Sequence, residues 1–225
     1  MQPYFFPYIG YFQLVNAVDK FVFYDDVNFI KRGWINRNKI QINQKEHLIT
    51  IPLAGASQNR LIKEIRVNKK PDKLKKTMSY AYKKAPYYKY VMPVIDHVLD
   101  HQTTQVSELA AFSVLKTCEY LGINTTFEFS SKKYGRSQDL AKEDRLIEIC
   151  KLNNAGKYIN TFGGNELYKK ADFAKHGISL QFLKTGPIQY SQFGEAFIPN
   201  LSIIDVMMFN DKAELQYLLT SFSLV

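Results

Sequence analysis

Short β-branched or aromatic runs, separated by stretches with helical spacing, constrain this chain more than any other feature. The firmest run is Lys20-Phe21-Val22-Phe23-Tyr24. It reads as a strand buried on both faces and ends at Asp25-Asp26. Residues 125–129, 157–160 and 178–183 read as further strands. Helical spacing fills residues 9–18, 71–121 with a break near Pro86, 139–150, 167–176 and the stretch from 202 onward. Gly122 and Gly177 stand where C-caps belong. This alternation predicts an α/β fold: a mostly parallel sheet with flanking helices. Residues 40–43 and 47–52 read as strands around a polar turn at 43–46, and 62–67 as an edge strand. A single domain over 1–225 is expected, with an inserted β ribbon at about 29–67 and a helical segment at about 71–121.

Charge narrows the partners. Lys and Arg number 30 against 21 Asp and Glu, a net charge of +9. Such a balance favours an anionic partner: a nucleotide, a phosphorylated small molecule, nucleic acid or an acidic membrane surface. Lys69, Lys70, Lys73, Lys75, Lys76, Lys83 and Lys84 carry much of the excess, and a solvated helix face is the first reading of such a run. No apolar run reaches the roughly 20 residues of a membrane-spanning helix. Residues 201–209 are short and include Asp205. The first residues lack the pattern of a secretory signal, so a cytoplasmic protein is expected. Cys118 and Cys150 sit in apolar helical patterns, as buried free thiols do. His97 and His101 are four apart beside Asp96 and Asp100, with no third metal ligand signalled.

Three clusters carry side chains suited to chemistry. The first is the aromatic N-terminal loop, including Gln2, Tyr4, Gly10 and Tyr11. It precedes a helix whose free N–H groups can meet an anion, though its rings also suit a core. The second is Asp25 and Asp26, followed by Lys31, Arg32, Trp34, Asn36, Arg37 and Asn38. A carboxylate at a strand's carboxyl end can act as a general base or hold Mg²⁺, and nearby cations can grip phosphate. Adjacent aspartates alternate faces, so one of the two is expected to point into a site. The third comprises Arg145, Tyr158, Gly163, Gly164 and Tyr168, where a Gly-Gly pair between strand and helix can cradle an anion or simply turn the chain. No P-loop, dinucleotide fingerprint, nucleophile elbow or zinc-protease motif is present, and no cofactor is named by the sequence.

Taken together, residues 2–12, Asp19, residues 24–27, Trp34, Asn36, Arg37 and Asn38 resemble the WbqC-like protein family. Residues 145–150, Tyr158, Gly163-Gly164, Tyr168, Gly177-Ile178 and 197–205 extend the likeness over nearly the whole chain. The resemblance implies a role in bacterial surface-polysaccharide clusters, with transfer of glycine to an amino sugar of O-antigen as the proposed activity. Family members usually carry a short apolar strand ahead of the Gln-Pro pair. With Met1-Gln2-Pro3 at the start, two readings stand open: the strand is absent, which would leave the sheet without a strand next to the site, or the start is assigned late. The order of a loop with Gly10, a helix and a strand ending at Asp25 is similar, more weakly, to HIGH-type nucleotidyltransferases, including pantothenate synthetase, and that likeness implies a Rossmann-like or nucleotidyltransferase-like form of the α/β fold. Tyr8-Ile9-Gly10-Tyr11 stands where their phosphate-binding histidines would be, so adenylyl transfer is not expected.

The functional expectation is an acyl or aminoacyl transferase acting on an amino sugar. Asp25 or Asp26 would accept the proton of the amine. Lys31, Arg32 and Arg37 would hold the phosphates of an anionic nucleotide- or lipid-linked sugar. Tyr4, Tyr11 and Trp34 would stack on a ring, while Asn36 and Asn38 would bond hydroxyls. The alternatives are a nucleotide- or nucleic-acid-binding module built on residues 29–39, or a non-catalytic scaffold. No recognition-module signature supports nucleic acid.

Overall fold

The computed structural model describes residues 1–68, 72–140 and 142–225. Lys69, Lys70 and the helix start expected at Pro71 lie outside the described residues. The first helix, α1 (Ile9–Asn16), is buried at all but its last position. A helix apolar all round belongs in the interior, and α1 forms the centre of the main core. Gly10 makes this packing possible, since a Cβ there would stand 2.4 Å from the Tyr8 ring and 2.7 Å from Thr185 Oγ1.

After α1 comes β1 (Lys20–Phe23), which pairs in parallel with β6 (Thr126–Phe129). Register sets Phe21 beside Phe127 and Phe23 beside Phe129, and the Phe23 and Phe127 rings stack at 5.5 Å. Burial along β1 alternates rather than holding on both faces, with Lys20 and Val22 half-buried. The reason is a slot of about 610 Å³ that reaches Lys20, Phe21 and Val22 on one side and residues 157–159 on the other. Met1 closes one end of it as a parallel bridge: its nitrogen donates to Val22 O at 3.0 Å, and its carbonyl accepts Tyr24 N–H at 2.7 Å.

Residues 37–50 form a hairpin of β2 (Arg37–Ile42) and β3 (Lys45–Thr50). Its turn has two residues, Asn43 and Gln44, both at positive φ (50° and 60°). Such a turn matches the strand twist, so Lys45 and Glu46 join β3 instead of the broader turn expected. A short antiparallel pair follows, β4 (Leu53–Ala54) with β5 (Arg66–Val67). The edge strand expected at 62–67 shrinks to those last two residues. Ile62–Glu64 is a 3₁₀ turn that buries Ile62 and Ile65 at a spacing of three, and the Glu64 carboxylate accepts Leu61 N–H at 2.9 Å.

The helical segment consists of α2 (Asp72–Tyr82), α3 (Tyr88–Leu99) and α4 (Val106–Leu121). Gly122 ends α4 at φ +72°. Beyond β6 come α5 (Ser130–Lys133), α6 (Lys142–Leu152), β7 (Lys157–Thr161), α7 (Lys170–Ala174) and β8 (Ser179–Thr185). The chain closes with α8 (Ile203–Phe209), α9 (Lys212–Thr220) and β9 (Phe222–Leu224). β7 and β8 are parallel, and β9 joins β8 antiparallel.

The class is α/β, but not as one mostly parallel sheet. Among the described residues, the parallel pairs β1–β6 and β7–β8 stand in separate sheets, and the other three strand pairings are antiparallel. No helix among the described residues is long and apolar enough to cross a membrane. Cys118 and Cys150 are free and buried, and burial pushes their thiols up to about 12 and about 11. At the start of α8, Asp205 is fully buried and accepts hydrogen bonds from Tyr82, Tyr190 and Gln192, each 2.8 Å long.

Candidate active site

Parallel pairing of β1 with β6 brings two chain segments to the same end of the sheet. Asp25 and Asp26 follow β1, and Ser130 and Ser131 follow β6 as the first turn of α5. Ser130 Oγ accepts the Asp25 N–H and gives its one proton to the nearer carboxylate, Asp26 Oδ1. Asp25 Oδ1 accepts Ser131 N–H at 3.0 Å, and its Oδ2 accepts Ser131 Oγ–H at 2.7 Å.

The two carboxylates then part. Asp26 is closed in, with its side chain wholly inaccessible and Oδ2 2.6 Å from Arg145 Nη2. Arg145 itself is buried, rests over the Tyr24 ring at 4.6 Å and donates from Nε to Ser137 Oγ at 3.3 Å. Asp25 lies at the floor of a polar pocket of about 530 Å³, among Arg60, Lys63, Arg66, Ser131 and Lys132. Lys63 is fixed there through its backbone, since its N–H donates to the Asp25 carbonyl at 2.9 Å. Glu64 and Glu108 complete the charged wall, and Phe129 supplies an apolar surface. The arrangement sets four cations around the Asp25 carboxylate, with the Arg60 guanidinium donating to Gly55 O and Glu64 O and Lys132 Nζ 4.0 Å from Glu108, while Lys63 and Arg66 face the pocket for an anionic group.

Of the residues expected from sequence to act in a site, Asp25 is the one lining this pocket. Tyr11 is fully buried and donates its hydroxyl to Gln2 O at 2.9 Å, with the Tyr4 ring 5.7 Å away. Asn36 donates to Ile51 O at 2.8 Å, and the buried Asn38 donates to Phe5 O and Phe6 O at 3.1 and 2.6 Å. These amides tie the N-terminal loop and the residue after β3 to the hairpin. Arg37 donates to the carbonyls of Gly33 and Arg32. Trp34 lies between Arg37 and Lys39, each 5.7 Å from its ring, while Lys31 and Arg32 are exposed. Gly163 is exposed, whereas Gly164 lies so close to Asn160 that a Cβ would stand 2.7 Å from its amide nitrogen. His97 and His101 face the Phe112 ring at 5.4 and 3.8 Å, and no group of three metal-ligating side chains gathers among the described residues.

Sequence reasoning missed Arg60, Lys63, Arg66, Ser130, Ser131 and Lys132. Lys63 and Arg66 fell within the residues 62–67 that read as an edge strand, which hid their part in a pocket.

Comparison with known proteins follows this geometry. The model of the WbqC-like protein family matches residues 2–217. A protein of Mycobacterium tuberculosis (strain ATCC 25618 / H37Rv), named Uncharacterized protein Rv1507c, is similar at 28% identity over 220 residues, covering 95% of this chain and 93% of its own length. No solved structure matches.

Proposed function

This chain belongs to the WbqC-like protein family, and from that premise we propose that it is an acyl or aminoacyl transferase, of glycine-transferring type, acting on an amino sugar for bacterial surface polysaccharide such as O-antigen. The observation that carries the reading is the mixed charge of the polar pocket. A nucleotide- or lipid-linked amino sugar bears phosphates at one end and an amine at the other. Arg60, Lys63, Arg66 and Lys132 suit the phosphates, and Asp25 suits the amine. The site lies beyond the carboxyl ends of two parallel strands, where α/β proteins place ligands.

In this reaction the amine must lose a proton to attack. Asp25 accepts that proton as the new N–C bond forms at the donor carbonyl, and the bond to the donor's leaving group breaks. Both Asp25 oxygens already accept hydrogen bonds from Ser131, which fix the carboxylate while leaving lone pairs free. Asp26, neutralised by Arg145, holds the turn and the start of α5 in place.

A thermal-shift screen of nucleotide-linked sugars, ATP and aminoacyl donors tests the reading. A nucleotide-linked amino sugar at 100 times its Kd stabilises the folded chain by about 2.7 kcal/mol. The same sugar bearing a hydroxyl in place of the amine gives a smaller shift. Equal shifts from both sugars would remove the amine from recognition, and a shift from ATP alone would point to a nucleotide-binding role.

A further inference from the structure

The basic hairpin that does not line the pocket presents a surface of distinct character. No acidic residue occurs between Asp26 and Glu46, while Lys31, Arg32, Arg37, Lys39 and Lys45 all fall in that interval. Three large apolar side chains on the same part of the molecule face solvent: Ile30 is 50% exposed, Leu48 45% and Trp34 37%. They are held together. Gly33 N–H donates to Ile30 O at 3.1 Å, closing a turn in which Arg32 sits at φ +60°. Arg37 stitches that turn to β2 through the Gly33 and Arg32 carbonyls. Lys39 and Leu48 are register partners across the hairpin, and Lys39 reaches the Trp34 ring. Glu46, on β3, is paired with Lys39 at 2.9 Å.

We propose that this ridge docks the protein on an anionic lipid bilayer, with Ile30, Trp34 and Leu48 entering the headgroup region and the cations meeting lipid phosphates. Basic residues near a surface respond to the negative potential of anionic leaflets, and an indole ring favours the headgroup level. Aliphatic tips flanked by cations fit that boundary, where apolar ends are buried and charges stay wet. Single-stranded nucleic acid fits less well. Stacking needs several aromatic faces, and of these three exposed side chains only Trp34 is aromatic.

The chain holds a single tryptophan, so its fluorescence reports on the ridge alone. The full chain is mixed with phosphatidylcholine vesicles, with vesicles containing phosphatidylglycerol, and with a polyuridine oligonucleotide. Expected is co-sedimentation with the phosphatidylglycerol vesicles, together with a blue shift of the Trp34 emission, both weakened by added salt. Ile30→Ser with Leu48→Ser lowers that binding by roughly tenfold, since each removes apolar area from the inserted edge. Lys31→Gln with Arg32→Gln does the same by removing charge, and it serves should the first pair fail to fold. No co-sedimentation, binding without a Trp34 shift, or tighter binding to the oligonucleotide that ignores Ile30→Ser with Leu48→Ser would each overturn the proposal.

Discussion

Arg145→Met lowers the stability of the chain by about 3–5 kcal/mol, the cost of leaving a buried charge without its partner. The Asp26 side chain is wholly inaccessible, and its other oxygen accepts the Ser130 hydroxyl. Methionine fills much of the arginine's volume, so the loss reports charge more than cavity. Equilibrium unfolding in urea measures it as a lower midpoint at an unchanged slope. The companion change Asp26→Leu, added to Arg145→Met, recovers most of the loss, because an apolar pair of similar volume carries no desolvation cost. A loss under about 1 kcal/mol for Arg145→Met is the size of an exposed ion pair and would contradict the buried arrangement.

Asp25→Asn gives the second large effect. Turnover falls by roughly 10²–10⁴-fold, the range for removing a general base, while the fold and ligand binding persist. The asparagine oxygen still accepts Ser131 N–H, and its amide can donate to Ser131 Oγ, so the turn keeps its hydrogen bonds. What asparagine lacks is the capacity to take a proton. Steady-state rates beside circular dichroism separate the two effects. Full turnover in a correctly folded Asp25→Asn would leave Asp25 a structural acceptor and favour a binding role for the pocket.

The strand that ends in these aspartates was legible because its apolar run is dense and stops abruptly at two charges. The helix before it was legible for a related reason: nearly every position is apolar, as burial in the centre requires. What the sequence could not show was how the two aspartates divide their roles. Arg145, on α6, lies 119 residues from Asp26, and Ser131, which the parallel pairing of β1 with β6 brings beside Asp25, lies 106 residues from it. The pocket's cations were hidden by a wrong period. Apolar residues alternating with charges across 62–67 look like an edge strand, but burial of Ile62 and Ile65 winds the segment into a turn. The dense run of donors at 31–38 was visible, yet Arg37, Asn36 and Asn38 spend their donors on backbone carbonyls. Residue type is written in the sequence; the partner that satisfies it is not. β9 escaped notice because three residues paired with β8 leave too short a pattern to read.

Calorimetric titration of a nucleotide-linked amino sugar into the wild-type chain, a Lys63→Ala, Arg66→Ala variant and a Lys175→Ala control tests the placement of the substrate most directly. Lys63 and Arg66 line the pocket, whereas Lys175 pairs with Asp172 on an exposed surface. Two hydrogen bonds to a charged group, at about 1.5–3 kcal/mol each, predict a loss of at least a hundredfold in affinity for the double variant, and none for the control. Wild-type affinity in the double variant would contradict the assignment and move the substrate away from the ends of β1 and β6.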